Sequence, residues 1–78
     1  MVISTGKLYK YKSPEYGDEG LVIKVKEIEN ELQILIETIK HPEIEKGYCQ
    51  LLSRSSIVEY FVQLPDDHPL SVLYGGLS

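Results

Sequence analysis

The densest run of alternating apolar positions lies at residues 20–39, which read Gly-Leu-Val-Ile-Lys-Val-Lys-Glu-Ile-Glu-Asn-Glu-Leu-Gln-Ile-Leu-Ile-Glu-Thr-Ile. Alternate residues of a strand point the same way. A fold back at Glu29-Asn30 therefore sets Val25 opposite Ile34, Ile23 opposite Ile36 and Leu21 opposite Thr38, all on one face. The other face carries Lys26 against Gln33, Lys24 against Leu35 and Val22 against Glu37. One apolar wall and one mixed wall describe a hairpin that covers a small core. Glu-Asn lacks the Asn-Gly or Asp-Gly that two-residue turns prefer. A longer loop around residues 29–31 keeps most of the facing pairs.

A helix competes for the same residues. Val25, Ile28, Leu32, Leu35 and Ile39 follow a helical stripe, and Glu, Gln and Leu are good helix formers. Against it, no Ser, Thr or Asp cap stands before Val25. The helix also leaves Ile23, Ile34 and Ile36 unexplained, whereas the hairpin uses all three. The hairpin is the expectation.

Around it the pattern predicts further strands. Val2 and Ile3 read as the start of a short one, followed by a turn at Ser4-Thr5-Gly6. Lys7-Leu8-Tyr9-Lys10-Tyr11-Lys12 alternates as an edge strand, with Tyr9 and Tyr11 on one face and Lys10 and Lys12 on the other. Residues 13–20 form a loop by composition, with Pro14, Gly17 and Gly20. His41-Pro42 stops the hairpin, and a polar loop runs to Gly47. Tyr48 to Leu52 reads as a short strand, Ser53-Arg54-Ser55-Ser56 as a one-turn link, and residues 57–64 as a last strong strand. The division expected is a small β-barrel domain at residues 1–64 and a C-terminal tail at 65–78, docked or flexible.

Composition narrows the class. At 78 residues there is chain for one core only. No apolar run approaches the ~20 residues of a membrane-spanning helix, so no membrane partner is expected. The first residues lack a secretory pattern, and one cysteine, Cys49, forms no internal disulfide framework. The expected compartment is the cytoplasm. A net charge of −4 argues against non-specific binding to nucleic acid.

Five short strands, a long loop after the first, a hairpin in the middle and a one-turn link before the last form a recurrent order. The residues that carry it are Leu8-Tyr9-Lys10-Tyr11, Gly17-Asp18, Gly20-Leu21-Val22-Ile23, Gly47-Tyr48 and Ser55-Ser56-Ile57-Val58-Glu59. In this the chain resembles the Src-homology-3-like (SH3-like) small β-barrels, including their bacterial and phage relatives. The resemblance implies an all-β, five-stranded, SH3-like barrel with an extended tail. Eukaryotic members that bind proline-rich peptides use a Trp in the groove, and this chain has none. The resemblance therefore implies a fold and leaves proline-rich peptide binding open. The tail, Leu73-Tyr74-Gly75-Gly76 followed by two residues, resembles the precursor end of a ubiquitin-like modifier. In that alternative the helical stripe between Val25 and Ile39 belongs to a β-grasp fold.

Candidate chemistry is sparse. His41 and His68 match no zinc-site spacing, and no metal is expected. Cys49 sits in a predicted strand, where a small buried thiol is commoner than a nucleophile. Asp66-Asp67 suits a turn better than acid–base chemistry. No phosphate-binding glycine loop is present. Neither catalysis nor a cofactor is expected. Lys7, Tyr9, Lys10, Tyr11 and Lys12 have the composition of a single-strand nucleic-acid platform. The plainer account packs the tyrosines inward and leaves the lysines to guard an edge strand.

Tyr16, Tyr48 and Tyr60, with Tyr9 and Tyr11, are the candidate protein-binding residues, because aromatics anchor interfaces. The expected function is a non-catalytic protein-binding module: an adaptor, an assembly subunit or a phage-type inhibitor of a host protein. It would dock on another protein or on itself as a homo-oligomer. The alternatives are the modifier and a nucleic-acid-binding small barrel.

Overall fold

A computed structural model of the protein describes residues 2–12 and 21–76. The loop expected at residues 13–20, Tyr16 within it, lies outside the described residues, as do Met1, Leu77 and Ser78.

Residues 22–40 form a hairpin, not a helix. Strand β2 (Val22–Ile28) runs antiparallel to β3 (Gln33–Lys40). The helical stripe fails on burial, since its member Leu32 is 74% exposed whereas Ile34 and Ile36 are fully buried. The register differs from the two-residue expectation: Val25 lies opposite Ile36 and Ile23 opposite Thr38. Between these pairs the slip is two residues, so Ile23, Val25, Ile36 and Thr38 keep the shared face expected of them. Its cause is a longer turn built by Asn30, whose Oδ1 accepts from the amides of Leu32 at 2.8 Å and Gln33 at 2.9 Å. Glu29 N and Asn30 N both donate to the carbonyl of Gln33. A bulge between Val25 and Glu27 shifts the pairing once more, setting Glu27 opposite Leu35.

β1 (Leu8–Tyr11) pairs with β2 on one side and on the other with β5 (Phe61–Gln63). It is an inner strand, contrary to the edge strand expected, so its lysines guard no edge. β4 (Cys49–Ser53) pairs with β3. The result is one antiparallel sheet in the order β4-β3-β2-β1-β5. Among the described residues no pairing joins β4 to β5, and the sheet is open. Val2 and Ile3 form no strand, although Ile3 is buried in the core.

The segment after β4 departs most from expectation. Residues 54–60 form a helix, α1 (Arg54–Tyr60), and β5 keeps only three residues of the eight-residue strand anticipated. Ser53 caps the helix, its Oγ accepting from Ser56 N at 3.2 Å. A longer β5 has little to pair with, because β1 is four residues long and its ladder with β5 ends at Tyr11 opposite Phe61. The tail forms a second helix, α2 (Pro69–Tyr74), with proline in its first turn and His68 as cap. No helix among the described residues is long and apolar enough to cross a membrane.

Each face of the sheet has its own apolar cluster. Tyr9, Ile23, Val25, Ile34 and Ile36 line the inner face, where Ile3, Ile57 of α1 and Phe61 join them. Leu8, Val22, Ile39 and Leu64 form the outer cluster, against which Leu70 and Tyr74 of α2 pack. This two-sided burial explains why β2 reads B-B-B-B over Val22 to Val25, as a strand covered on both faces should.

Candidate functional site

The β1–β5 pairing brings together aromatics that are 49 positions apart in sequence. The ring of Tyr11 stacks on Tyr60 with centroids 6.4 Å apart and meets the edge of Phe61 at 5.4 Å. Phe61 is buried and Tyr11 half-buried, which leaves Tyr60, 48% exposed, as the outer step of the stack. Val58, the residue after the core-facing Ile57, is also exposed on α1. Lys12 Nζ donates to the carbonyl of Glu59 at 3.0 Å, and Lys12 N donates to the carbonyl of Tyr60. Two bonds thus tie the end of α1 to the end of β1. The aromatic step is apolar at its base and polar at its tip.

The other anticipated residues do not join this cluster. Tyr9 is fully buried on the inner face, with its hydroxyl accepting from Ser4 N at 3.2 Å. It belongs to the core and offers no docking surface. Tyr48 is 55% exposed but precedes β4, at the opposite end of the strand order from β5. Tyr16 lies outside the described residues.

Two of the three lysines of the candidate nucleic-acid strip, Lys7 and Lys12, are drawn into the fold. Lys7 Nζ pairs with Asp66 Oδ1 at 2.8 Å, and Lys12 is held as described. Of the two tyrosines meant to alternate with them, one is core and the other stacks on Tyr60.

Both histidines act as local caps. His41 Nδ1 accepts from the amides of Glu43 at 2.9 Å and Ile44 at 3.0 Å, and His68 Nδ1 accepts from Leu70 N at 3.1 Å. Among the described residues, no three of His, Cys, Asp and Glu converge as metal ligands would. Cys49 is exposed, contrary to the buried thiol expected, because it lies on the outer face of the end strand.

Two clefts flank the docked tail, and sequence reasoning found neither. One, of about 290 Å³, lies between the Gly6-Lys7-Leu8 segment and Asp66, Ser71 and Gly75-Gly76. The other, of about 310 Å³, is lined by Lys24, Glu37, Lys46 and Tyr74 with Gly75-Gly76. Lys46 Nζ sits 4.6 Å from the centroid of the Tyr74 ring and closes one side. Gly76 itself donates to the carbonyl of Gly6 at 2.8 Å, so the Gly-Gly segment is folded onto the domain.

Comparison of the chain with family models, with curated proteins and with solved structures finds no match.

Proposed function

We propose that the protein is a non-catalytic, cytoplasmic protein-binding module built as an SH3-like small barrel. Two features support the architecture. The strand order β4-β3-β2-β1-β5 is wholly antiparallel, and a single short helix links the two terminal strands. α1 follows β4 directly and leads into β5. The binding surface is the aromatic step of Tyr60 on Tyr11, and this exposed stack is the observation that carries the reading. An exposed tyrosine seated on a second ring is already ordered, so docking on it costs little side-chain entropy. The partner is another protein, for which the module serves as adaptor, assembly subunit or inhibitor.

The test is affinity capture from the source cell, followed by titration of the purified partner. Tyr60→Ala is expected to weaken binding by at least about thirtyfold, the effect of losing an anchor worth about 2 kcal/mol. Tyr48→Ala, on the far strand, should change it little. A captured partner whose affinity is indifferent to Tyr60→Ala would remove this surface from the proposal.

A further inference from the structure

β4 closes one end of the sheet and, among the described residues, has a strand on one side only. Thr38 N donates to Tyr48 O and Arg54 N to Leu32 O, while Gln50 lies opposite Ile36 and Leu52 opposite Ile34. In an antiparallel ladder this alternation turns the main chain of the even positions of β4 toward β3. The N–H and C=O groups of Cys49 and Leu51 therefore point away from the sheet, and both residues are exposed, Leu51 to 51%.

Natural edge strands are normally blunted by charge, proline or brevity. β5, at the other end, is three residues long and is followed by Pro65. β4 has no such protection. The run Gly47-Tyr48-Cys49-Gln50-Leu51-Leu52-Ser53 contains neither a charge nor a proline, in a chain with eight basic and twelve acidic residues.

We propose that this edge pairs with the same edge of a second copy, antiparallel about a two-fold axis at Leu51. A chain of net charge −4 repels itself over most of its surface. The uncharged run is where two copies meet without a like-charge contact, whereas a charged partner finds nothing here to complement. The register follows from the main chain. With Leu51 opposite Leu51, the N–H and C=O of each bond the other, and Cys49 faces Ser53. Leu35 already lies opposite Leu51 within one copy. The two-fold therefore sets Leu35, Leu51 and their symmetry mates in one row across the outer face. α2 leaves that part of the face uncovered, since its Leu70 and Tyr74 pack over Leu8, Val22, Ile39 and Leu64. The pairing is independent of the Tyr60 surface, which belongs to the opposite end of the strand order.

Sedimentation of the full-length protein from micromolar to near-millimolar concentration tests the proposal. Wild type should pass from monomer to dimer over that range. Leu51→Lys, which sets two ammonium groups face to face at an exposed position, should weaken the association by more than about tenfold. Tyr60→Ala should dimerise as wild type does. Amide exchange on the wild-type protein gives a second measurement that needs no variant: the Leu51 amide should gain protection as concentration rises. A wild-type protein monomeric throughout overturns the proposal, as does a dimer that Leu51→Lys leaves intact. Protection of Leu51 that appears only on adding a different protein also overturns it, by assigning the edge to another strand.

Discussion

The amide of Gly76 donates to the carbonyl of Gly6 across 2.8 Å, and a Cβ built on Gly6 would stand 2.9 Å from the carbonyl carbon of Gly76. Gly6 is also fixed from behind, its amide bonded to the carbonyl of Val25 at 2.8 Å. Its φ of +86° lies where L side chains are strained. One glycine thus joins the hairpin to the tail, and the tail holds α2 over the outer cluster. Gly6→Ala should cost about 1–3 kcal/mol, from the strained dihedral together with the close contact. Urea unfolding checks this, and an unchanged midpoint would show that the tail does not need this contact.

Ile57 and Val58 take different sides of α1. Ile57 is fully buried in the inner cluster and Val58 is exposed. Ile57→Ala should destabilise the protein by about 2–5 kcal/mol. Val58→Ala should shift stability by no more than about 0.5 kcal/mol, as surface changes usually do. Comparable losses at both positions would mean that the segment is not seated as described.

The Tyr9 hydroxyl is the one polar group that this side chain carries into the core. It accepts from the amide of Ser4, which ties the N-terminal segment to β1. Tyr9→Phe keeps the ring and removes the acceptor, so it should cost about 0.5–1.5 kcal/mol. Exchange of the Ser4 amide should quicken more than that of the strand amides, and equal quickening or no change at Ser4 would contradict the bond.

Asn30 sets the register of the central hairpin through two bonds from one carboxamide oxygen. Asn30→Ala should lower stability by about 1 kcal/mol. Asn30→Asp retains the acceptor and should recover most of that loss. Failure of Asp to rescue would point to the backbone of the turn instead of the side chain.

How much of this was legible follows from what each signal depends on. The hairpin was legible because Ile23, Val25, Ile34 and Ile36 alternate, and alternation is a local property of a strand. Its register was not, because it depends on which amides Asn30 chooses to satisfy. α1 was hidden for a different reason. Ile57 and Val58 are β-branched and alternate as well as any strand, so propensity pointed to β, while the Ser53 cap decided for helix. Pro69 could end a strand, but proline in the first turn also opens helices, and the outer cluster beneath Leu70 shows which applies. The aromatic step was beyond reach altogether, since Tyr11 and Tyr60 meet only through the β1–β5 pairing. Tyr9 and Tyr11 were seen to share a face, but which of them that face would bury depended on how far β5 and α1 reach.

Cys49 gives the simplest chemical check on the end of the sheet. Even-numbered positions of β4 face inward, as Leu52 does against the inner cluster. Cys49 therefore faces outward, and its Sγ is exposed, with a weak bond to the carbonyl of Gly47 at 3.5 Å. The native protein should consume one equivalent of Ellman's reagent without denaturant, at a rate near that of a small free thiol. Cys49→Ser should alter stability by less than about 0.5 kcal/mol, since no packed contact is lost. The side chain stands perpendicular to the sheet, while any strand added at this edge approaches within the sheet plane. Thiol reactivity should therefore survive self-pairing and serve as a probe independent of concentration. A thiol that reacts only after unfolding would mean that β4 is covered on its outer face, and with it the row through Leu35 and Leu51.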